Sequence, residues 1–252
     1  MEDRLARTRL LLGEKGIEKL QKATVMVVGC GAVGSFAIEA LARAGVGRLI
    51  LVDFDVVKES NINRQLFALQ STLGQEKTAV ARGRIHDISP DIQVEVIPAL
   101  INGENVAALI SYKPDFVIDA IDTLNPKTLL IESLVRAGIP FISSMGAALK
   151  VDPSKIAIVP MKKTINDPLA FFVRKRLRKR GVPMDFKVVY SSEDVSSKAH
   201  IEMPCEPEND TGRVRHNLGS LPTITGIFGL LCANECIKFL TDGFGKSDAL
   251  SF

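Results

Sequence analysis

The chain has 252 residues, 46% of them hydrophobic and 24% charged, with a net charge of +3. These values describe a globular protein with room for one large buried core, and they exclude a disordered or low-complexity chain. Four cysteines (Cys30, Cys205, Cys232, Cys236) are too few for a disulfide scaffold, so free thiols in a reducing cytoplasm are expected.

A leading helix is predicted over residues 3–21; its first residues are polar and charged, unlike a secretory signal. Strands and helices then alternate: strand 24–28, helix 32–44, strand 48–53, helix 75–87, strand 92–97, helix 103–111, strand 115–119, helix 126–137 and strand 140–145. Alternation of this kind implies an α/β fold, a Rossmann-like and mostly parallel sheet with helices on both faces. Ligands of such sheets bind outside the carboxyl ends of the strands. After Gly146 the pattern changes. Strand-like segments at Ile156–Val159 and Phe186–Ser191 extend the sheet and flank a helix over 168–180, and a polar loop runs from Ser192 to Gly219. The apolar run Leu221–Leu240 holds Glu235, Lys238 and two glycines, so it reads as a buried helix and not a membrane span.

The run Gly29-Cys30-Gly31-Ala32-Val33-Gly34 between the first strand and its helix is a G-x-G-x-x-G nucleotide-binding loop. Gly29 permits a tight turn, Gly31 and Ala32 let the backbone approach a phosphate, and Gly34 lets helix and strand pack closely. The helix N-terminus then offers N–H groups to an anion. Asp53, at the end of the second strand, is placed to accept hydrogen bonds from a ribose. Alone, the loop does not choose between a dinucleotide and ATP. The stretch that follows does, because it holds Asp55, then Asn61, Arg64 and Gln65, then Lys77. A dehydrogenase has no need of an arginine and a lysine here, whereas a triphosphate does. Asp119 and Asp122 end a later strand. Only one can face the nucleotide, and Asp122 is read as the ligand of a magnesium ion held with ATP, with Asp119 in a supporting turn. His86, His200 and His216 show no metal spacing.

The helix over 168–180 has Asp167 as N-cap, Pro168 at its first position and Gly181 beyond its end. Leu169, Phe172, Val173 and Leu177 are expected to form its buried stripe. Residues 162–180 carry eight basic side chains and one acidic, a net +7 against +3 for the whole chain, so the rest sums to −4. Such concentration suits nucleic acid, with Lys163, Arg174, Lys175, Arg178 and Lys179 as the candidate contacts. The competing reading is a solvated helix end that satisfies the helix dipole.

The set GCGAVG, VDFD, SNINRQ, GQEK and DAIDT resembles the ThiF/MoeB/HesA superfamily of E1-like adenylating enzymes. The segment Arg7-Thr8-Arg9-Leu10-Leu11-Leu12-Gly13 resembles that family's Arg-x-x-Leu-Leu-x-Gly segment, whose arginine reaches the partner's ATP in a homodimer. The resemblance therefore implies ATP and Mg2+ as cofactors and Arg7, Arg64, Lys77 and Asp122 as catalytic residues. Lys163 to Ala170, the basic helix, Val188 to Glu193 and the segment from Gly219 to Phe239 are similar to the tRNA threonylcarbamoyladenosine dehydratase group. That group implies tRNA as substrate and leaves open a cysteine-desulfurase or sulfur-relay partner. Some members carry a cysteine where this chain has Val188. On this reading residues 1–252 form one ThiF-like domain, with an ATP-binding half (1–150) and a substrate, tRNA and dimer half (151–252). The alternative is activation of a ubiquitin-like sulfur carrier. Many such enzymes hold zinc with C-x-x-C pairs, and this sequence has none.

Overall fold

β1 (Thr24–Val28) lies inside a single seven-stranded sheet, between β2 (Arg48–Val52) and β4 (Phe116–Asp119). β3 (Gln93–Ile97) lies beyond β2, and β5 (Phe141–Ser144), β7 (Lys187–Ser191) and β6 (Ile156–Pro160) follow β4 in that order. All neighbours pair in parallel except β6, which runs antiparallel to β7. The computed structural model describes residues 3–195 and 218–242, so Cys205, His200 and His216 and most of the expected polar loop lie outside the described residues.

Both faces of the central strands are covered, as their unbroken apolar runs require. Val25 and Val27 join a core with α2 (Gly34–Ala44), α3 (Lys77–Ile88) and α7 (Pro222–Leu240). Met26 and Val28 face the other way, towards α4 (Val106–Ser111) and α5 (Leu124–Ala137). α6 (Pro168–Lys179) packs further along that second face. α7 is long and apolar enough to cross a membrane, but it lies in the core against α2. A Cβ at Gly229 would sit 2.3 Å from the Val33 carbonyl oxygen, and one at Gly226 would sit 3.3 Å from the Phe36 ring. The two glycines that argued against a membrane span are the ones that let two helices touch.

Several expected bounds move. α1 (Ala6–Lys22) is interrupted at Gly13, whose φ of 70° and ψ of 171° break the helix. α3 starts at Lys77, because Gln75 accepts from the Val57 N–H at 2.8 Å and Glu76 bridges Val56. α4 starts at Val106, because the Asn102 and Asn105 side chains bond the backbone before it. In α6 the buried face is Ala170, Val173 and Leu177, while Phe172 stays 48% exposed. Phe172 falls one helical position away from that stripe.

Candidate active site

The glycine loop emerges from β1 where the strand order turns outward to β2 on one side and β4 on the other, the crevice position of an open α/β sheet. Gly29 has φ +95°, and a Cβ there would stand 2.8 Å from the Ala120 carbonyl oxygen, so the loop after β1 runs hard against the loop after β4. A Cβ on Gly34 would fall 1.7 Å from the Gly29 carbonyl oxygen, which admits no side chain. Gly31 and Ala32 are half-buried, and the space over Gly31 opens towards the Gln65 amide, 3.6 Å from where its Cβ would be.

Asp53 leaves the end of β2 and turns back on the loop. Its Oδ2 accepts from the Cys30 N–H at 2.7 Å, and its Oδ1 accepts from the Asp55 N–H at 2.9 Å. Burial pushes its carboxyl above the ordinary value, against the pull of Lys77 and those two N–H groups. Lys77, buried at the first turn of α3, donates to Asp55 Oδ2 at 2.9 Å. Asn61 is buried and accepts from the Lys58 N–H at 3.1 Å, fixing the turn that carries Arg64. Arg64 is half-buried and donates to the Ser60 carbonyl at 2.9 Å and to Asn63 Oδ1 at 2.7 Å. Both acceptors are neutral, so a phosphate would compete for the guanidinium with a stronger, charge-assisted bond.

Behind the loop after β4 lies a feature the sequence reading missed. Asp119 and Lys127 form an ion pair at 2.6 Å with both side chains at 0% exposure. Lys127 also donates to Ser143 Oγ at 3.1 Å, and Ser143 donates to Asp119 Oδ2 at 2.6 Å. The other oxygen, Oδ1, accepts from the Ile121 N–H at 3.1 Å, and Ala120 donates to the Val28 carbonyl at 2.8 Å. The turn that presents Asp122, exposed at the carboxyl edge, is thus held from behind. The clue in the sequence was the position of Lys127 on the stripe of Leu130, Ile131 and Leu134. A second buried lysine, Lys150, donates to the carbonyls of Asn166 (3.1 Å), Ser191 (3.3 Å) and Glu193. It joins the segments after β5 and β7 to the start of α6. The expected Asp167 N-cap is present, accepting from the Ala170 N–H at 2.9 Å.

Other predicted residues lie away from this edge. Leu5, just before α1, packs on Gly45 at the C-terminal end of α2, where an added Cβ would be 2.8 Å from its Cδ1. The glycine loop feeds the opposite end of that 11-residue helix, about 16 Å away. Arg7 is exposed near Leu5, so its own chain does not bring it to the loop. On α6, Lys175, Arg178 and Lys179 are exposed, as is Lys163 before it. Arg174 instead donates to the Thr164 carbonyl at 2.9 Å, and burial lowers its pKa. Cys30, Cys232 and Cys236 are buried, and burial raises all three thiols well above their ordinary value, which suppresses the thiolate. Val188 is buried in β7 opposite Ser143, inside the sheet and away from the edge. His86 is solvent-facing, and among the described residues no group of three His, Cys, Asp or Glu side chains could hold a metal ion.

The sheet order and the glycine loop, with two cations and a carboxylate around its edge, define a nucleotide-binding α/β protein of the E1-like type. A model of the ThiF family matches residues 3–250, and the chain belongs to that family. It is 45% identical over 193 residues to the tRNA threonylcarbamoyladenosine dehydratase of Bacillus subtilis, covering 77% of this chain and 76% of that one. It is 36% identical over 252 residues to the Escherichia coli protein of the same name, covering 93% and 92%. The crystal structure of that E. coli protein in complex with AMP superposes with a TM-score of 0.83 over 95% of this chain and 94% of that one. It has also been solved in complex with ATP. The molybdopterin-synthase adenylyltransferase of E. coli is 37% identical over 137 residues, 54% of each chain.

Proposed function

We propose that the protein is an ATP-dependent dehydratase that cyclises N6-threonylcarbamoyladenosine in tRNA, acting as a cytoplasmic homodimer. The observation that carries the reading is the convergence on one sheet edge of a loop with no room for side chains at Gly29 and Gly34, the buried Lys77 and the loop bearing Asp122. A relative of that name matches over nearly the whole chain, whereas the molybdopterin-synthase adenylyltransferase matches over about half.

A carboxylate is a poor electrophile because its leaving group would be oxide. Its oxygen attacks the α-phosphorus of ATP, the bond to the bridging oxygen breaks, and pyrophosphate leaves with the electron pair. A nucleophile within the same modified nucleoside then attacks the acyl carbon, AMP departs and a proton is lost. No enzyme thiol is required. The Gly31 backbone and the start of α2 cradle phosphates, and Asp53 and Gln65 orient the nucleoside end. Asn61 and Asp55 hold Arg64 and Lys77 in place, and both cations neutralise the charge that grows on the leaving group. Magnesium fits the donor set. It commonly takes one or two carboxylates, completing its shell with phosphate oxygens and water, so Asp122 would hold it and the ion would neutralise pyrophosphate charge. Arg7 comes from the partner. Residues 1–150 do this work, while 151–252, through Lys163 and α6, hold the RNA.

The test is product analysis with ATP, Mg2+ and modified tRNA. AMP and pyrophosphate are expected, together with a loss of 18 Da from the nucleoside, the mass of one water. ADP and orthophosphate would overturn the adenylation step. Lys77→Ala should lower kcat more than it raises the KM for ATP, since a charge aimed at the leaving group acts mainly in the transition state.

A further inference from the structure

α6 carries two phenylalanines that the described fold leaves uncovered. Its inward face is Ala170, Val173 and Leu177, each at 0% exposure, whereas Phe171 and Phe172 remain 52% and 48% exposed. Their rings stand edge to face, with centroids 5.3 Å apart and an interplanar angle of 78°. At the helical repeat of 100° per residue, Phe171, Lys175 and Lys179 make one outward row, with Arg178 on one side and Phe172 on the other.

The remaining arginines are tied down. Arg174 bonds Thr164, Arg176 bonds Asn125, and Arg180 pairs with Glu132. Among the described residues Lys175, Arg178 and Lys179 have no ion-pair partner, and α6 contains no carboxylate. The helix therefore presents an outward face of two aromatic rings among three positive charges.

We infer that this face binds an unpaired loop of RNA, with a base stacked on Phe171 or Phe172 and the neighbouring phosphates on Lys175, Arg178 and Lys179. The inference rests on the tRNA reading and deepens it. Charge alone would accept any polyanion. The rings select further, because the bases of a duplex are stacked on each other and offer no π-face, whereas an unpaired base does. A ring beside a phosphate-binding lysine is the arrangement by which single-strand binders hold successive nucleotides.

The chain contains no tryptophan, so Phe171→Trp or Phe172→Trp introduces a single tryptophan, whose emission is separated from that of the tyrosines by excitation at the red edge of its absorption. Titration with a single-stranded RNA oligonucleotide should quench that emission, and a blunt RNA duplex of equal length should not. The double variant Phe171→Ala/Phe172→Ala should weaken single-strand binding roughly tenfold or more. Its plot of log Kd against log salt should keep the wild-type slope, because no phosphate contact is lost. Lys175→Gln/Lys179→Gln should make that slope shallower by about 1.4, at roughly 0.7 per contact. Unchanged ATP affinity in each variant checks the fold. If the double alanine variant binds like wild type while the lysine variant loses slope, the aromatic site is wrong and the tRNA reading stands. If wild type binds neither tRNA nor oligonucleotide, both fall. If sedimentation velocity shows that the alanine variant dissociates a dimer, the rings are a protein interface and the inference is overturned.

Discussion

Two ionised side chains with no exposure, Asp119 and Lys127, lie behind the turn that presents Asp122. Taking them out of water costs several kcal/mol each, which their contact offsets only because Ser143 and the Ile121 N–H complete their hydrogen bonds. Lys127→Met should therefore cost about 3–5 kcal/mol by stranding a buried carboxylate, a fall in melting temperature of roughly 6–20 °C for a chain of this size. Adding Asp119→Leu should recover much of that stability in a thermal melt. It should not recover function, since the Ile121 N–H loses its acceptor and the turn its anchor. The double variant should need more Mg2+ for half-maximal ATP binding by calorimetry, and a wild-type Mg2+ requirement would show that the pair does not position Asp122. The buried thiols give a second prediction: iodoacetamide at pH 8 should leave Cys30, Cys232 and Cys236 unmodified in the native protein, as read by peptide mass spectrometry. Gly29, Gly34, Asp53 and Lys77 were legible in the sequence because phosphate chemistry needs those residue types at fixed spacing. Lys127 was not, because a buried lysine and a surface lysine are the same letter, and only the apolar stripe it shares distinguishes them. Phe172 misled for the converse reason, since an apolar letter near a stripe reads as part of it.

At the scale of elements, each predicted strand and helix exists, and the differences lie at the ends and at the break inside α1. They arise where backbone groups found partners that no local pattern announces. Gln75 and Glu76 turn back to Val57 and Val56 before α3 can begin, and Gly13 takes up a left-handed φ inside what periodicity reads as one helix. Helix α7 shows how packing settles an ambiguous apolar run. Gly229 meets the Val33 carbonyl, the residue just before α2, so the contact couples α7 to the end of the glycine loop. Gly229→Ala forces a Cβ to within 2.3 Å of that oxygen unless a helix moves. It should destabilise by about 1–3 kcal/mol, as overpacking does, and should raise the KM for ATP through displacement of Val33. A thermal melt with ATP kinetics on the same preparation checks both. Loss of stability with unaltered KM would confine the effect to packing.

The whole molecule leaves its N-terminal segment unexplained until a second chain is considered. Arg7 sits near the end of α2 remote from the glycine loop, and Leu10 and Leu11 beside it are 83% and 75% exposed. Two large apolar side chains so exposed next to an arginine suit an interface that covers the leucines and delivers the guanidinium to the partner's nucleotide. In the proposed dimer each site combines one chain's Lys77 with the other's Arg7. A chain carrying Arg7→Ala and a chain carrying Lys77→Ala are each expected to be nearly inactive alone. Mixed in equal amounts and allowed to exchange, they form heterodimers in which one site has both residues intact and the other has neither. Random pairing puts about a quarter of all sites in the intact state, so roughly a quarter of wild-type activity should return. If Arg7 served its own chain, every site in every dimer would lack one residue and no activity would return. Exchange is verified by mass spectrometry of differently tagged chains, so silence in a mixture shown to contain heterodimers would place Arg7 in cis. Leu10→Glu with Leu11→Glu should lower the dimer's sedimentation coefficient and activity together, while Lys77 and Asp55 stay paired within the monomer.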